Sequence, residues 1–401
     1  MTGEKKKMNV ISFDRSKKIP DAARIAEFAA TARKLLRERS AGEVVAKLLK
    51  ETPREEWASL AEREEIRNSG ALERLSKEMA TVLDKEPADA LALSALATTI
   101  AEALSADEYP AIVNAQMRAH AWKDRAQALT YVGRDQEALD AIERAEALLE
   151  PFAAVAHDRA VLRLMKAIVL QHFKEWDASL ALLRQSHKVF ADHHDAKRLL
   201  QCGLTEAMLL HRRHEYDKAR GVLEPLLDVA REAKDVFLLA AIHHNIAQSH
   251  LELGDFIAAN IHFSEAVRHF NDDGRKIEAA RAEMNIGDLF LRRGQIDYAW
   301  SHLSTARSVF EHCEMHEEVA MSATLMMEAM LVRGNEAQAR SIATELAKQL
   351  EGTRVSKQAL EAIMYADRAI EAHDEPLAAV RHVHRYFESL RADPQRAFNA
   401  Q

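Results

Sequence analysis

The chain has 401 residues with only 12 glycines and 8 prolines, too few turn formers for a sandwich or barrel of many short strands. Hydrophobic residues make up 48% and aromatics 6%, so the core is packed mainly by Ala and Leu, as between closely stacked helices. A net charge of −8, from 63 acidic and 55 basic residues, gives no electrostatic footprint for a nucleic-acid binder.

Residues 1–20 hold charge but no apolar run of the secretory kind and read as a disordered basic tail. An amphipathic helix is predicted from Asp21 to about Arg39, with Ile25, Phe28, Ala29, Leu35 and Leu36 on its apolar side. A second runs from Val44 to Lys50 and stops at Thr52-Pro53. A third covers Trp57 to Arg67. Ala71–Leu83 and Ala88–Leu104 then form a helix pair around Glu86-Pro87. No stretch approaches the apolar length of a membrane span; the blandest, Ala90 to Ala101, is short.

From residue 119 onward the informative signal is internal repetition. Gly254, Gly294 and Gly334 stand forty residues apart, each followed five residues later by an alanine: Ala259, Ala299 and Ala339. The same phase runs upstream through His214–Ala219, Lys174–Ser179 and Gly133–Ala138, and weakly downstream through His373–Ala378. Helices are expected to end at or near Gly133, Lys174, His214, Gly254, Gln295 and Gly334. The fixed alanine marks a close helix crossing, and Ala145, Ala266 and Ala306 mark a second small position seven residues on. One helical hairpin cannot bury its own apolar face, so successive hairpins share an elongated core, and the terminal ones must cap it.

These copies resemble tetratricopeptide repeats (TPR). The best matches are residues 119–151, 240–267 and 279–310, where Trp122, Gly133, Ala138, Ala145 and Pro151, and then Ile286, Gly287, Phe290, Gly294, Ala299 and Ala306, follow the family order. The period of forty exceeds the family's usual thirty-four and is similar to the longer repeats of kinesin light chains and of bacterial peptide-sensing regulators. The resemblance implies an all-α, right-handed superhelical solenoid of antiparallel helix pairs. Its expected organisation is a tail at 1–20, an N-terminal helical cap with a degenerate repeat at 21–118, about seven pairs at 119–393, and a tail at 394–401.

Catalytic and metal signatures are missing: the sequence has no GxxxxGK[ST], GxGxxG, GxSxG or HExxH. His243-His244 with His250, His193-His194 and His382 with His384 are the densest histidine groups, but neighbours on a helix diverge by about 100° and share no face. His211 and His214 could share one, without a third ligand. They read as solvated or hydrogen-bonded side chains, so no metal or cofactor is expected. Asn271-Asp272-Asp273-Gly274 has the wrong ligand spacing for calcium and reads as a turn between repeats. Cys202 and Cys313, inside helical stretches, and the cluster Met326, Met327 and Met330 read as packing. A helix-turn-helix at Ser40–Ala58 is disfavoured because Glu51, Glu55 and Glu56 would face phosphate. Two distant cysteines without CxxC suit a reducing, cytoplasmic setting.

In the tetratricopeptide pattern the groove is lined by positions 2, 5, 6, 9 and 13 of each first helix. Asn245 and Asn285 occupy position 6 in adjacent repeats, Gln248 and Asp288 position 9, Arg281 position 2, and Arg212, Glu252 and Arg292 position 13. An asparagine there donates and accepts at once, which suits an extended peptide backbone, and arginines suit a carboxylate. Position 6 departs from this at Asp124, Met165, Thr205, Leu325 and Met364, and the lysine-rich clamp of chaperone-binding members is missing. The resemblance implies a non-enzymatic scaffold or sensor that binds a protein or peptide in its concave groove, with neither nucleic acid nor membrane as a direct partner. The alternative is the ligand-sensing component of a bacterial transcription or signalling system acting with a separate effector. The two asparagines serve either as ligand contacts or as ties between neighbouring helices, and the sequence leaves the oligomeric state open.

Overall fold

The computed structural model describes residues 22–83, 85–351, 353, 357–390 and 397–399; the tail expected at 1–20 lies outside them. Every element among the described residues is helical. Contacts divide the chain into two compact units, Met1–Val169 and Leu170–Gln401.

The first unit contains α1 (Ala22–Glu51), two short 3₁₀ stretches (Arg54–Glu62 and Glu64–Ile66), α2 (Ser69–Val82), α3 (Pro87–Glu102), α4 (Ala111–Tyr131) and α5 (Asp135–Leu149); α6 (Ala156–His172) contains the division. Two expectations are corrected here. The helices expected to either side of residue 40 are one continuous α1, and Trp57–Arg67 winds as 3₁₀ turns. Helix α1 runs through Gly42 and crosses α2 there. A Cβ on Gly70 of α2 would sit 1.8 Å from the Glu38 carbonyl oxygen, and a Cβ on Gly42 3.5 Å from that of Gly70. Gly70 thus lets the helix backbones cross closely, whereas a side chain at Gly42 would meet only ordinary packing contacts. Leu35 and Leu36, assigned to the apolar side, are 61% and 66% exposed.

The second unit continues with α7 (Trp176–Asp192), α8 (Ala196–Arg212), α9 (Tyr216–Leu223), α10 (Leu226–Ala233), α11 (Val236–Glu252), α12 (Phe256–Asp272), α13 (Lys276–Arg292), α14 (Ile296–His312), α15 (His316–Val332), α16 (Glu336–Leu350), α17 (Lys357–Glu371) and α18 (Pro376–Leu390). Starts at Ala156, Trp176, Ala196, Tyr216, Val236, Phe256, Lys276, Ile296, His316 and Glu336 fall twenty residues apart. The forty-residue period is therefore two helices of 17 residues with three-residue connections. The extra length over the usual repeat is in the helices. Among the described residues only the α9–α10 helix is interrupted, at Pro225, which cannot donate a backbone hydrogen bond.

The connections after the first helices share one construction. Gly133, Lys174, His214, Gly254, Gly294 and Gly334 all take positive φ two residues past a first helix. At Gly254 the amide donates to Leu251 O at 3.1 Å and the following Asp255 amide to His250 O at 2.9 Å, the paired bonds of a Schellman cap. Asp255 then accepts from the Ala258 amide at 3.1 Å and caps α12, so one residue closes one helix and opens the next. Second helices end in the same left-handed turn, at His194, Lys234, Gly274 and Glu314. Cys313, expected inside a helix, is the C-cap of α14.

The crossing alanines Ala138, Ala219, Ala259, Ala299 and Ala339 are fully buried. First helices α8, α11, α13 and α15 pack side by side in a continuous row, and second helices α12, α14 and α16 rest on them. The row ends in a different arrangement. Helix α15 packs on α16, α16 on α17, α17 on α18, and α18 on α15, a closed four-helix bundle in which α18 rather than α17 stands beside α15. This explains why α15 is buried on nearly every side: Met321, Leu325, Met326, Met327 and Met330 all lie between neighbours, so the methionine cluster fills core.

Candidate functional site

The predicted residues lie on α8, α11 and α13 of the row, and most are tied to the neighbouring first helix. Asn285 Nδ2 is 3.3 Å from His244 Nε2 on α11. Arg281 donates twice to Glu318 Oε1 of α15, at 3.2 and 2.6 Å. Arg292 lies 3.0 Å from Glu252 of α11 and 2.9 Å from Asp288, one turn back on its own helix. Arg212 donates to Gln171 Oε1 at 3.3 Å. Asn245 donates at 2.8 Å to the carbonyl of Ala241 within α11, and Gln248 is half-buried one turn further on. The forty-residue phase thus sets equivalent positions side by side, and the polar groups there bridge from repeat to repeat.

Beside this row, α13, α15 and α18 line an open cavity of about 770 Å³. Asp288 and Arg292 line it from α13, Leu325 and Glu328 from α15, and Arg381, His384, Arg385 and Glu388 from α18. Desolvation pushes the Asp288 carboxyl above its ordinary value, with Arg292 opposing. Burial works against the Arg292 charge, but the Asp288 and Glu252 carboxylates outweigh it and hold the guanidinium above its usual value. Arg381 donates to Glu328 Oε1 at 2.7 Å, and His384 Nδ1 lies 2.8 Å from Thr324 Oγ1 of α15. Arg385 is exposed and makes no ion pair among the described residues. Among the described residues the site therefore offers one cation without an ion pair beside several internally neutralised pairs.

Sequence reasoning reached Asp288 and Arg292 through the repeat phase. It missed the α18 wall, because the phase weakens after residue 334 and gives no sign that the last helix turns back onto α15. It also missed a histidine stack. His243 and His250 of α11, and His262 and His269 of α12, are each seven residues apart, and the antiparallel helices interleave them. His243 Nδ1 lies 2.9 Å from His262 Nδ1. The His250 and His262 rings stack at 5.7 Å, and His243 and His269 at 5.9 Å. The paired seven-residue spacing was the legible clue. No metal-binding group of three or more side chains occurs among the described residues.

Paired helices crossing at buried alanines, with a left-handed turn closing each, define the tetratricopeptide-type repeat fold. Comparison with solved structures gives the same result. The chain is similar to the apo quorum sensor NprR from B. thuringiensis, with a TM-score of 0.61 at 10% identity over 91% of this chain and 99% of that one. It is similar to the apo form of RapI, with a TM-score of 0.54 at 18% identity over 69% of this chain and 99% of that one. A third similar structure is a Signal Transduction ATPase with Numerous Domains (STAND) protein with a tetratricopeptide repeat sensor, PH0952 from Pyrococcus horikoshii, with a TM-score of 0.60 at 11% identity over 90% of this chain and 53% of that one. No family model and no curated protein matches the sequence. No helix among the described residues is long and apolar enough to cross a membrane.

Proposed function

We propose that the second unit is a non-enzymatic sensor that binds a peptide, or an extended segment of a partner protein, along the first-helix row. The observation that carries this reading is the polar row from α8 to α13 opening into the 770 Å³ cavity walled by α18. Asn245, Gln248 and Asn285 would meet the backbone of an extended ligand, with Arg212 and Arg281 beside them, while Asp288, Arg292 and Arg385 would meet its polar or acidic groups at the cavity. The fold likeness to a quorum sensor and to a TPR sensor module supports a ligand-sensing component that works with a separate effector. A catalytic reading finds less support, since the cavity's charged groups are mostly occupied with one another and Cys202 lies buried elsewhere. The unpaired thiols Cys202 and Cys313 fit a cytoplasmic setting.

The test is selection of random peptides displayed on phage against the full chain, followed by titration of the selected peptides against the parent and the Asn245→Ala/Asn285→Ala and Arg385→Ala variants. Each lost partner is expected to weaken binding by roughly tenfold, about the cost of one unsatisfied hydrogen-bonding group. Peptides that bind the variants as tightly as the parent would show that the asparagines act only as ties between helices.

A further inference from the structure

The histidine stack between α11 and α12 lies outside the cavity and has no part in the ligand reading. Its order is His269, His243, His262, His250, with ring centroids 5.9, 5.1 and 5.7 Å apart. His243 and His250 are buried. The central contact of the stack, between the two helices, places two Nδ1 atoms 2.9 Å apart, so one must carry a proton and the other must not. A single added proton on this pair can be shared across the contact. A second removes the only acceptor and sets two like charges face to face.

We propose that this stack is an acid-sensitive joint, in which protonation of the paired imidazoles parts α11 from α12 and loosens the middle of the second unit. Neighbouring charges temper the response without cancelling it. Helix α12 brings Glu265, Arg268 and Asp272, and Asp255 at its N-cap lies 3.4 Å from His250 Nδ1. Glu224, at the end of α9, bears on His262, and Arg231 of α10 bears on His243 and His269. Helix α8 brings His211, whose Nε2 lies 2.7 Å from Ser249 Oγ. From α13, Asn285 meets His244, which lies next to His243. Desolvation first, then His262 and His269, hold His243 down at about 4, and burial and His250 push His262 down as well. A histidine whose folded value lies below its unfolded value of about 6.5 leaves the folded chain with fewer bound protons between the two values. The stability it supports is complete above about pH 6.5 and is lost as the pH falls towards 4. Because α11 carries Asn245 and Gln248, acid would also weaken a ligand held there; that consequence rests on the function proposed above, whereas the opening of the joint does not.

Hydrogen exchange on the ligand-free full chain tests the joint, with rates corrected for the intrinsic pH dependence. Between about pH 7.5 and about pH 5, amides of α11 and α12 are expected to lose roughly tenfold more protection than those of α13 and α14. In a His243→Gln/His262→Gln variant that difference should vanish. Equal losses in both helix pairs, or an unchanged difference in the variant, would overturn the proposal. Should the variant fail to fold, NMR titration of the parent's imidazoles decides: His243 titrating at its unfolded value of about 6.5 would sink the idea.

Discussion

Arg292 of α13 reaches back to Glu252 of α11, 3.0 Å away and forty residues earlier in the chain. Together with its 2.9 Å pairing to Asp288, the contact makes one guanidinium the counter-charge for two carboxylates on two repeats. Arg292 is 41% exposed and Asp288 only 22%, so solvent screens the cation more than the acid.

Removing that cation should therefore cost stability through the acid it leaves behind. Arg292→Ala is expected to lose about 0.5–1.5 kcal/mol near neutral pH, discounted for the exposure of the arginine. Asp288 already titrates above its ordinary value in the folded chain, so the folded state binds the extra proton more readily than the unfolded one. Stability linked to it falls as the pH rises from the ordinary carboxylate range through the raised value, and the variant widens that window. Urea midpoints should lie closer to the parent's at about pH 5 than at about pH 7.5. Restoration by Asp288→Asn in the Arg292→Ala background would confirm the cause, and a pH-independent deficit would refute it.

The crossing alanines give a second expectation. Ala259 and Ala299 are fully buried where helices meet. Ala259→Leu and Ala299→Leu should each destabilise by about 1–3 kcal/mol through overpacking. Lys276→Ala, at an exposed position, should change stability by less than about 0.5 kcal/mol. Denaturation midpoints of the leucine variants equal to the parent's would mean that the helix backbones separate freely there.

Left-handed residues other than glycine mark sites where the chain can be improved. Lys174, His194, His214, Lys234 and Glu314 hold φ between 54° and 61°. Glycine at any one of them should raise stability by about 0.5–1 kcal/mol, because relief of the left-handed penalty exceeds the entropy that glycine loses. Gly254→Ala should cost about 1 kcal/mol for the converse reason. Calorimetric midpoints that move the other way would contradict the caps described at these turns.

The two cysteines should differ sharply in reactivity. Cys202 is buried, its thiol donates to Leu183 O at 3.1 Å, and desolvation pushes it up to about 12. Cys313, at the end of α14, is partly exposed. Mass spectrometry after iodoacetamide treatment near pH 8 should find Cys313 modified, and Cys202 only after unfolding. Equal labelling in the native protein would show that the α7–α8 core opens readily.

What the sequence made legible followed from rules of short range. Glycines in left-handed turns and alanines at crossings are local demands, so Gly254 with Ala259 and Gly294 with Ala299 disclosed the period and the fold. Of the second-helix turns only the one at Gly274 was legible, because the others use His194, Lys234 and Glu314, residues that carry no turn signal. The unbroken course of α1 through residue 40 was not legible for the opposite reason: its close crossing with Gly70 of α2 appears only in the tertiary structure. The candidate site divides along the same line. The α13 floor was readable from phase, whereas Arg381, His384 and Arg385 reach the cavity only because α18 closes on α15. The histidine stack needed two helices considered together, since adjacency along one helix says nothing of partners across the next.

The twenty-residue spacing of helix starts also sets which changes of length the chain can absorb. Removing one helix and its connection reverses the direction of every helix that follows, and a face built for the first-helix row would land among the second helices. Removing two restores both direction and row. Changes of forty residues are thus silent in a way that changes of twenty are not. A lineage that lengthens or shortens such a molecule moves in even steps, keeping the cavity end whole while the row in front of it gains or loses a rung.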